Sequence, residues 1–281
     1  MKIIIQKTIA RVASLLLGVM ATASLSAAEA TYIDANGDEQ TAENAVVVTS
    51  STTTFEDGGW YVVNTDTELP GPITVSGSAN LILADGATLT VTATYHEPGI
   101  KVVTGNTLSI YGQSAGTGTL NTNGGSKSAG IGGNEGSDDN GVACGTVKIY
   151  GGIITANGGK GAAGIGGGAG SSSKGLGGAG GTVEIYGGTV TATGGSEANG
   201  SNAYGAGIGG GAANGKRASG TLIVAKGMTV VAGQNSGSAT ARTPDDDGNV
   251  TISTTISADR YFKITAPTAL TQTVSDLGEV E

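Results

Sequence analysis

The chain has 281 residues, of which 52 are glycine and one is cysteine, and its formal net charge is −9 at pH 7. The acidic balance excludes the basic surface that nucleic acids and anionic membranes require, and a single cysteine excludes an intramolecular disulfide. Charged residues are only 13% of the chain and β-branched residues alternate with the glycines. This composition indicates a folded protein rather than a disordered one.

Residues 1–30 have the layout of an export signal peptide. Basic residues precede an apolar run at 12–20, and small residues lead to an A-x-A cleavage pattern that ends at Ala30. Thr31 is the preferred mature N-terminus, and a cut a few residues earlier is the alternative. The apolar run is shorter than the roughly 20 residues of a membrane span. A secreted or cell-surface protein is therefore predicted, with the periplasm as the alternative location.

Residues 31–58 are irregular and are predicted to form an N-terminal cap, because the first turn of a stacked-strand fold exposes strand edges that need covering. Residues 59–265 contain short apolar runs such as WYVV, ITV, LIL and LTV, separated by Gly, Pro, Asn or Asp. Strands this short, joined by single turns, are typical of a β-solenoid. Residues 266–281 are predicted to be a C-terminal tail.

A repeat supports the solenoid. The phrase TVKIYGGIITANGG returns as TVEIYGGTVTATGG, and Tyr150 and Tyr186 are 36 residues apart, a length suited to one turn of a solenoid. The sequence predicts an all-β fold, a single-stranded right-handed parallel β-helix with three short strands per turn. We expect equivalent positions at Leu81, Leu108, Val147, Val183, Leu222 and Val250.

The three strands of each turn have distinct apolar residues. We expect the inward positions to be Leu108/Ile110, Val147/Ile149 and Val183/Ile185 in the first strand, Leu120, Ile154 and Val190 in the second, and Ile131, Ile165 and Ile208 in the third. The AGIGG glycines do not form a phosphate loop, since no βαβ unit follows them. They are predicted to allow tight corners and close packing of turns.

Outward residues form columns as well. Lys148 beside Glu184 predicts an exposed ion pair. The column Tyr111, Tyr150 and Tyr186 is interpreted either as a platform for sugar rings or as a self-stacked ladder that stabilises a corner. A third face carries Thr155, Thr191 and Thr193, whose hydroxyls could meet a periodic ligand such as a polysaccharide or ice, or simply cover an exposed sheet. The tyrosines and these threonines are the candidate ligand-binding residues.

Evidence for metal or catalytic chemistry is weak. The acidic runs that contain Asp138, Asp139, Asp245 and Asp247 could hold Ca²⁺ through oxygen ligands, but solvated turns are favoured, and no cofactor is predicted. A glycoside hydrolase needs two carboxyl groups roughly 5 to 9 Å apart, and no Asp/Glu pair occupies neighbouring strand columns. A non-enzymatic protein is therefore predicted.

The phrases NLILADGATLTV, GNTLSIYGQ and AGIGGG…GTVxIYGG resemble the glycine-rich repeats of secreted bacterial β-helix surface proteins, many from gut bacteria, which are adhesin-like or carbohydrate-binding. The resemblance covers about half the chain and implies a surface or secreted protein that binds a polysaccharide or a host glycan. The alternatives are a β-helix polysaccharide lyase or glycoside hydrolase, and a structural spacer.

Overall fold

A computed structural model of the chain describes residues 27–136, 139–170, 175–196, 204–252 and 258–267. In these residues the protein is all-β and contains one short 3₁₀ turn, Ser236–Ser238. The predicted signal peptide up to residue 26 and the predicted tail from residue 268 lie outside the described residues. The described part of the chain holds no helix long and apolar enough to cross a membrane.

The strands are short and follow one another closely. In chain order they are β1 (Ala27–Ile33), β2 (Glu39–Val47), β3 (Thr54–Phe55), β4 (Trp60–Val63), β5 (Thr67–Leu69), β6 (Ile73–Val75), β7 (Ser78–Leu83), β8 (Thr88–Thr92), β9 (Ile100–Lys101), β10 (Thr107–Gly112), β11 (Thr119–Asn123), β12 (Ile131–Gly132), β13 (Thr146–Ile149), β14 (Ile153–Asn157), β15 (Ile165–Gly166), β16 (Thr182–Ile185), β17 (Thr189–Thr193), β18 (Ile208–Gly209), β19 (Ala212–Ala213), β20 (Lys216–Arg217), β21 (Thr221–Val224), β22 (Thr229–Gly233), β23 (Thr240–Arg242), β24 (Asn249–Val250) and β25 (Tyr261–Thr265).

These strands form three main sheets and a two-stranded ribbon, β19-β20, within the described residues. The nine-stranded sheet has the order β1-β2-β4-β7-β10-β13-β16-β21-β24, the eight-stranded sheet β23-β22-β25-β17-β14-β11-β8-β5, and the six-stranded sheet β18-β15-β12-β9-β6-β3. From β4 to β18 the chain visits the nine-, eight- and six-stranded sheets in that order five times. Most pairings along this path are therefore parallel and join strands from successive visits.

The parallel pairings place the predicted inward residues in register. Leu108 pairs with Val147, Val147 with Val183 and Val183 with Leu222. These residues belong to one hydrophobic core that also includes Ile154 of the eight-stranded sheet and the other predicted inward residues. The three sheets therefore contribute side chains to a common aliphatic core, as predicted for residues 108–208.

One predicted equivalence is wrong. Leu81 lies opposite Ile110, and Leu108 lies opposite Ala79. A shift of two residues keeps every side chain on the same face of a strand, and Leu81, Ile82 and Leu83 are all buried. The alternation of apolar residues therefore could not distinguish the two registers.

The N-terminal segment covers one end of the nine-stranded sheet. β1 and β2 form an antiparallel hairpin, and β2 pairs in parallel with β4 through Val46 and Tyr61. Beneath this hairpin a second, smaller core buries Val62 and Ile82 on the outward face of the sheet. β1 begins at Ala27, so a cleavage after Ala30 removes four of its seven residues, and an earlier cut leaves the strand intact only if it falls before Ala27.

The C-terminal strands depart from the expected parallel arrangement. Val250 is the register partner of Leu222, but β24 runs antiparallel to β21. β25 lies between β17 and β22 and is antiparallel to both. The expected parallel turn beyond Leu222 is thus replaced by antiparallel strands, which a short strand pattern cannot distinguish from parallel ones.

The glycines of the six-stranded sheet allow the backbones to approach closely. Gly132, Gly166 and Gly209 have φ values of 136°, 143° and 133°, a region that other residues rarely adopt. A Cβ atom at Gly166 would collide with the carbonyl oxygen of Gly209. The AGIGG repeat therefore serves packing, as predicted.

Candidate functional site

Tyr111, Tyr150 and Tyr186 form a stack along the nine-stranded sheet. The ring centroids of Tyr111 and Tyr150 are 4.7 Å apart with their planes 10° from parallel, and those of Tyr150 and Tyr186 are 4.9 Å apart at 7°. The backbone sets this spacing, because neighbouring strands lie about 4.8 Å apart. The predicted tyrosine column exists, and its role in binding stays a prediction.

The stack decides which parts of the rings a ligand can reach. Near-parallel rings at these centroid distances overlap face to face with an offset. Both faces of Tyr150 are consequently covered. Tyr111 and Tyr150 can offer a ligand their edges and hydroxyl groups, whereas Tyr186, at the end of the stack, has an aromatic neighbour on one side only among the described rings.

Two further aromatic residues extend the stack at its other end. The rings of Tyr32 and Trp60 lie 4.8 Å and 5.3 Å from that of Tyr111, and 4.6 Å from each other. Burial, with a smaller effect from the neighbouring Tyr150, raises the pKa of Tyr111. Sequence reasoning missed these two residues, because Tyr32 comes from the antiparallel β1-β2 hairpin, which the repeat does not predict.

Tyr186 is hydrogen-bonded to the outward column of charged residues that contains Lys148 and Glu184. Its hydroxyl donates to Glu184 Oε2 at 2.7 Å, and Lys148 Nζ lies 3.0 Å from the same oxygen. The hydrogen bond to Glu184 raises the pKa of Tyr186 to about 12. Burial acts to raise the pKa of Glu184, but the hydrogen bonds from Tyr186 and Lys148 outweigh it and leave that pKa lowered. The predicted ion pair between Lys148 and Glu184 is confirmed.

An open cavity of about 500 Å³ adjoins the end of the stack. Tyr186 forms one wall of the cavity. Ile223 of β21 and Met228, which comes after that strand in the chain, supply apolar surface, and the turn 244–248 supplies an acidic wall. Ala225, the first residue after the end of β21, also lines the cavity. The cavity therefore combines an aromatic ring, apolar side chains and carboxylates.

The predicted threonine face lies on the eight-stranded sheet, separated from the tyrosines by glycine corners such as Gly151-Gly152. Thr155 pairs in register with Thr191, and Asn157 pairs with Thr193. All three threonines are partly exposed. Their hydroxyls form no side-chain hydrogen bond within the described ranges.

An asparagine column beside these threonines is bonded internally. Asn157 Nδ2 donates to Asn123 Oδ1 at 3.0 Å, and Asn123 Nδ2 donates to Thr92 Oγ1 at 3.2 Å. The face is larger than predicted, because β8 adds a complete T-x-T-x-T segment, Thr88–Thr92, in register with β11. At its other side β25 places Lys263 opposite Thr191.

The acidic candidates do not assemble into a metal site in the described residues, where no group of three or more His, Cys, Asp or Glu side chains could hold an ion. Asp245 is engaged in its own turn, where it accepts hydrogen bonds from the backbone of Asp247 and from Asn249. These bonds, chiefly those from Asn249, lower the pKa of Asp245. Asp139 is exposed with a φ of 68°, and Asp138 lies outside the described residues.

A charged cluster in the loops was not predicted. The largely buried carboxylate of Glu135 contacts His96 Nδ1 and accepts a hydrogen bond from Lys127 Nζ at 2.9 Å. Glu97 and Glu135 line an open cavity of about 470 Å³ beside His96. These residues are nearly 40 positions apart in sequence and have no shared motif, so only the fold reveals their proximity.

The single cysteine is not placed for nucleophilic chemistry. Cys144 is buried, and burial raises the pKa of its thiol to about 12. The thiol is therefore protonated at neutral pH, whereas the thiolate is the nucleophile.

Comparison of the chain with protein-family models, curated proteins and solved structures found no match.

Proposed function

We propose that the chain is an exported, non-enzymatic protein that binds a polysaccharide or a cell-surface glycan through the outward face of its eight-stranded sheet. We further infer that its three sheets are the sides of a right-handed parallel β-helix with three strands per turn. The cyclic order of strands from β4 to β18 and the shared core support this architecture. The resemblance to adhesin-like β-helix proteins supports a surface or secreted location.

The glycan proposal rests on a difference in hydrogen bonding between two neighbouring columns of side chains. The asparagine column is bonded to itself, whereas the hydroxyls of Thr155 and Thr191 point outward in register without a side-chain partner in the described chain. Regularly spaced hydroxyls that both donate and accept suit a ligand whose own hydroxyls repeat. The bonded column beside them keeps the face rigid, which lowers the entropic cost of binding.

A glycan array followed by polysaccharide pull-down, each with and without EDTA, tests this proposal. In the variant Thr155→Val/Thr191→Val the side-chain shape is kept and two hydroxyls are removed. Each hydrogen bond contributes about 0.5–1.5 kcal/mol, so the double variant should bind its polysaccharide roughly 5- to 150-fold more weakly. Binding that survives EDTA argues against a required metal.

The control is Thr221→Val, an equivalent change at an exposed threonine of the nine-stranded sheet, which should bind like the wild type. Absence of binding to any glycan contradicts the proposal and favours a structural spacer. Equal affinity of the double variant and the wild type contradicts the placement of the ligand on this face.

The cavity beside His96 favours a second candidate, a β-helix polysaccharide lyase or glycoside hydrolase, because Glu97 and Glu135 both line it. Release of unsaturated or reducing sugar from pectin-like substrates, lost in Glu135→Gln, would support this candidate. No sugar release across a panel of acidic and neutral polysaccharides would exclude it.

A further inference from the structure

The tyrosine stack ends at a place where the backbone continues. Tyr150 N donates to Ile110 O at 2.8 Å, and Tyr186 N donates to Ile149 O at 2.7 Å. Ala225 N makes the same bond to Ile185 O at 2.8 Å. Ala225 thus occupies the next position of the column, with a methyl group where the preceding strands have an aromatic ring.

The missing ring leaves one face of Tyr186 uncovered by any ring among the described residues. Tyr186 is 40% exposed, and the cavity of about 500 Å³ lies directly against it. This volume falls within the range of roughly 300–1,000 Å³ typical of small-ligand sites. This cavity, called the vacancy below because it lies where a further ring of the stack would be, therefore has the size and the aromatic wall that a single ring-shaped ligand needs.

The charges around the vacancy are mainly negative. Asp246 and Asp247 are exposed, and their carboxylates form no hydrogen bond within the described parts of the chain. Asp245 is held in its turn, and among the described residues Lys226 is the one cationic residue that lines the cavity. A positively charged or hydroxyl-rich ligand is favoured here and an acidic one is disfavoured.

We propose that this cavity binds one sugar ring that carries an amine, stacked on the free face of Tyr186 in place of the missing aromatic side chain. This inference rests on the proposed glycan binding and assigns it a second, terminal subsite. The C–H face of the sugar covers the ring, its hydroxyls reach Asp246 and Asp247, and its ammonium group gains from both the carboxylates and the aromatic face. An aromatic side chain of a partner protein could stack equally well, but it would leave the carboxylates unused.

Ligand-observed NMR titrations of the full chain with glucosamine, N-acetylglucosamine and galacturonic acid test the proposal. Glucosamine should bind tightest and galacturonic acid at least tenfold more weakly. Tyr186→Ala should abolish binding by removing the stacking face. Ala225→Tyr should abolish it by filling the vacancy with a fourth ladder ring, without loss of thermal stability. Asp246→Asn/Asp247→Asn should make glucosamine and N-acetylglucosamine bind equally.

The matched control is Tyr95→Ala, because Tyr95 is 83% exposed and outside the stack; it should bind glucosamine like the wild type. If Tyr186→Ala fails to fold, Ala225→Tyr remains a complete test. Unchanged glucosamine binding in Ala225→Tyr, or no monosaccharide binding by the wild type, overturns the inference. The glycan proposal itself stands in either case if polysaccharide binding is still weakened in Thr155→Val/Thr191→Val.

Discussion

The middle of the molecule, residues 107–224, and its C-terminal part, residues 225–265, use their side chains in opposite ways. In the middle, identical residues stack strand upon strand, and rings and glycine backbones cover one another. In the C-terminal part the strands are antiparallel, every residue of β23 is exposed, and an open cavity lies against the turn 244–248. Repetition covers rings and glycine backbones by close packing, whereas its interruption leaves an open cavity beside Tyr186 and the turn 244–248.

Glycine substitutions should separate the two regions most strongly. Gly166→Ala places a Cβ against the backbone of Gly209 at a φ of 143°, so we expect a loss above about 4 kcal/mol, enough to prevent folding. Among the described residues, a Cβ atom in Gly227→Ala, at a φ of 88°, meets only Pro267 Cγ at 3.8 Å, and the change should cost roughly 1–2 kcal/mol from backbone strain.

Soluble yield and urea denaturation of the two variants measure this difference. A Gly166→Ala protein that unfolds at the same urea concentration as Gly227→Ala would contradict the close packing of the middle region.

Truncation of isoleucine is the next largest test. Ile149→Ala removes side-chain atoms from the fully buried core and should destabilise the protein by about 2–5 kcal/mol. Ile252→Ala removes the same atoms from a partly exposed residue that only borders the core, so we expect less than about 1.5 kcal/mol. Urea denaturation at one pH compares the two directly, and equal losses would show that the C-terminal part is packed as tightly as the middle.

Sequence reasoning succeeded where residues recur at constant spacing. The sequence aligns Val147, Val183 and Leu222 correctly because Gly-Thr directly precedes each of them. The reasoning failed at Leu81, where a continuous apolar run permits two registers on the same face. It also failed for β25, because an alternating pattern does not indicate whether a strand runs parallel or antiparallel to its neighbours.

In the candidate site, too, the contacts of repeated residues could be predicted from the sequence and those of unrepeated residues could not. The stack of Tyr111, Tyr150 and Tyr186 followed from the repeat, since stacked strands bring equivalent residues together. The additional rings of Tyr32 and Trp60, and the cavity beside Ala225, depend on segments that have no equivalent elsewhere in the chain. Such segments have no counterpart in the chain with which they can be aligned, so their contacts emerge only from the fold.

The junction of the two regions allows a smaller, pH-dependent test at Tyr186. Its hydrogen bond to Glu184 raises its pKa from 10.0 to about 12. The folded state thus favours the neutral phenol, so the stabilisation is complete below pH 10 and is lost as the pH rises toward 12. Because Tyr186 is exposed to solvent, the change in unfolding free energy should be smaller than in the substitutions above.

Ultraviolet absorbance of the phenolate, taken as the difference between the wild type and Tyr186→Phe, isolates the titration of this residue. Glu184→Gln removes the carboxylate charge and should lower the pKa of Tyr186 toward 10, whereas Lys148→Gln keeps the acceptor and should leave the pKa raised. A wild-type midpoint already near pH 10 would mean that the Tyr186 ring is not held against Glu184. The free ring face, on which the terminal sugar subsite depends, would then lose its fixed orientation.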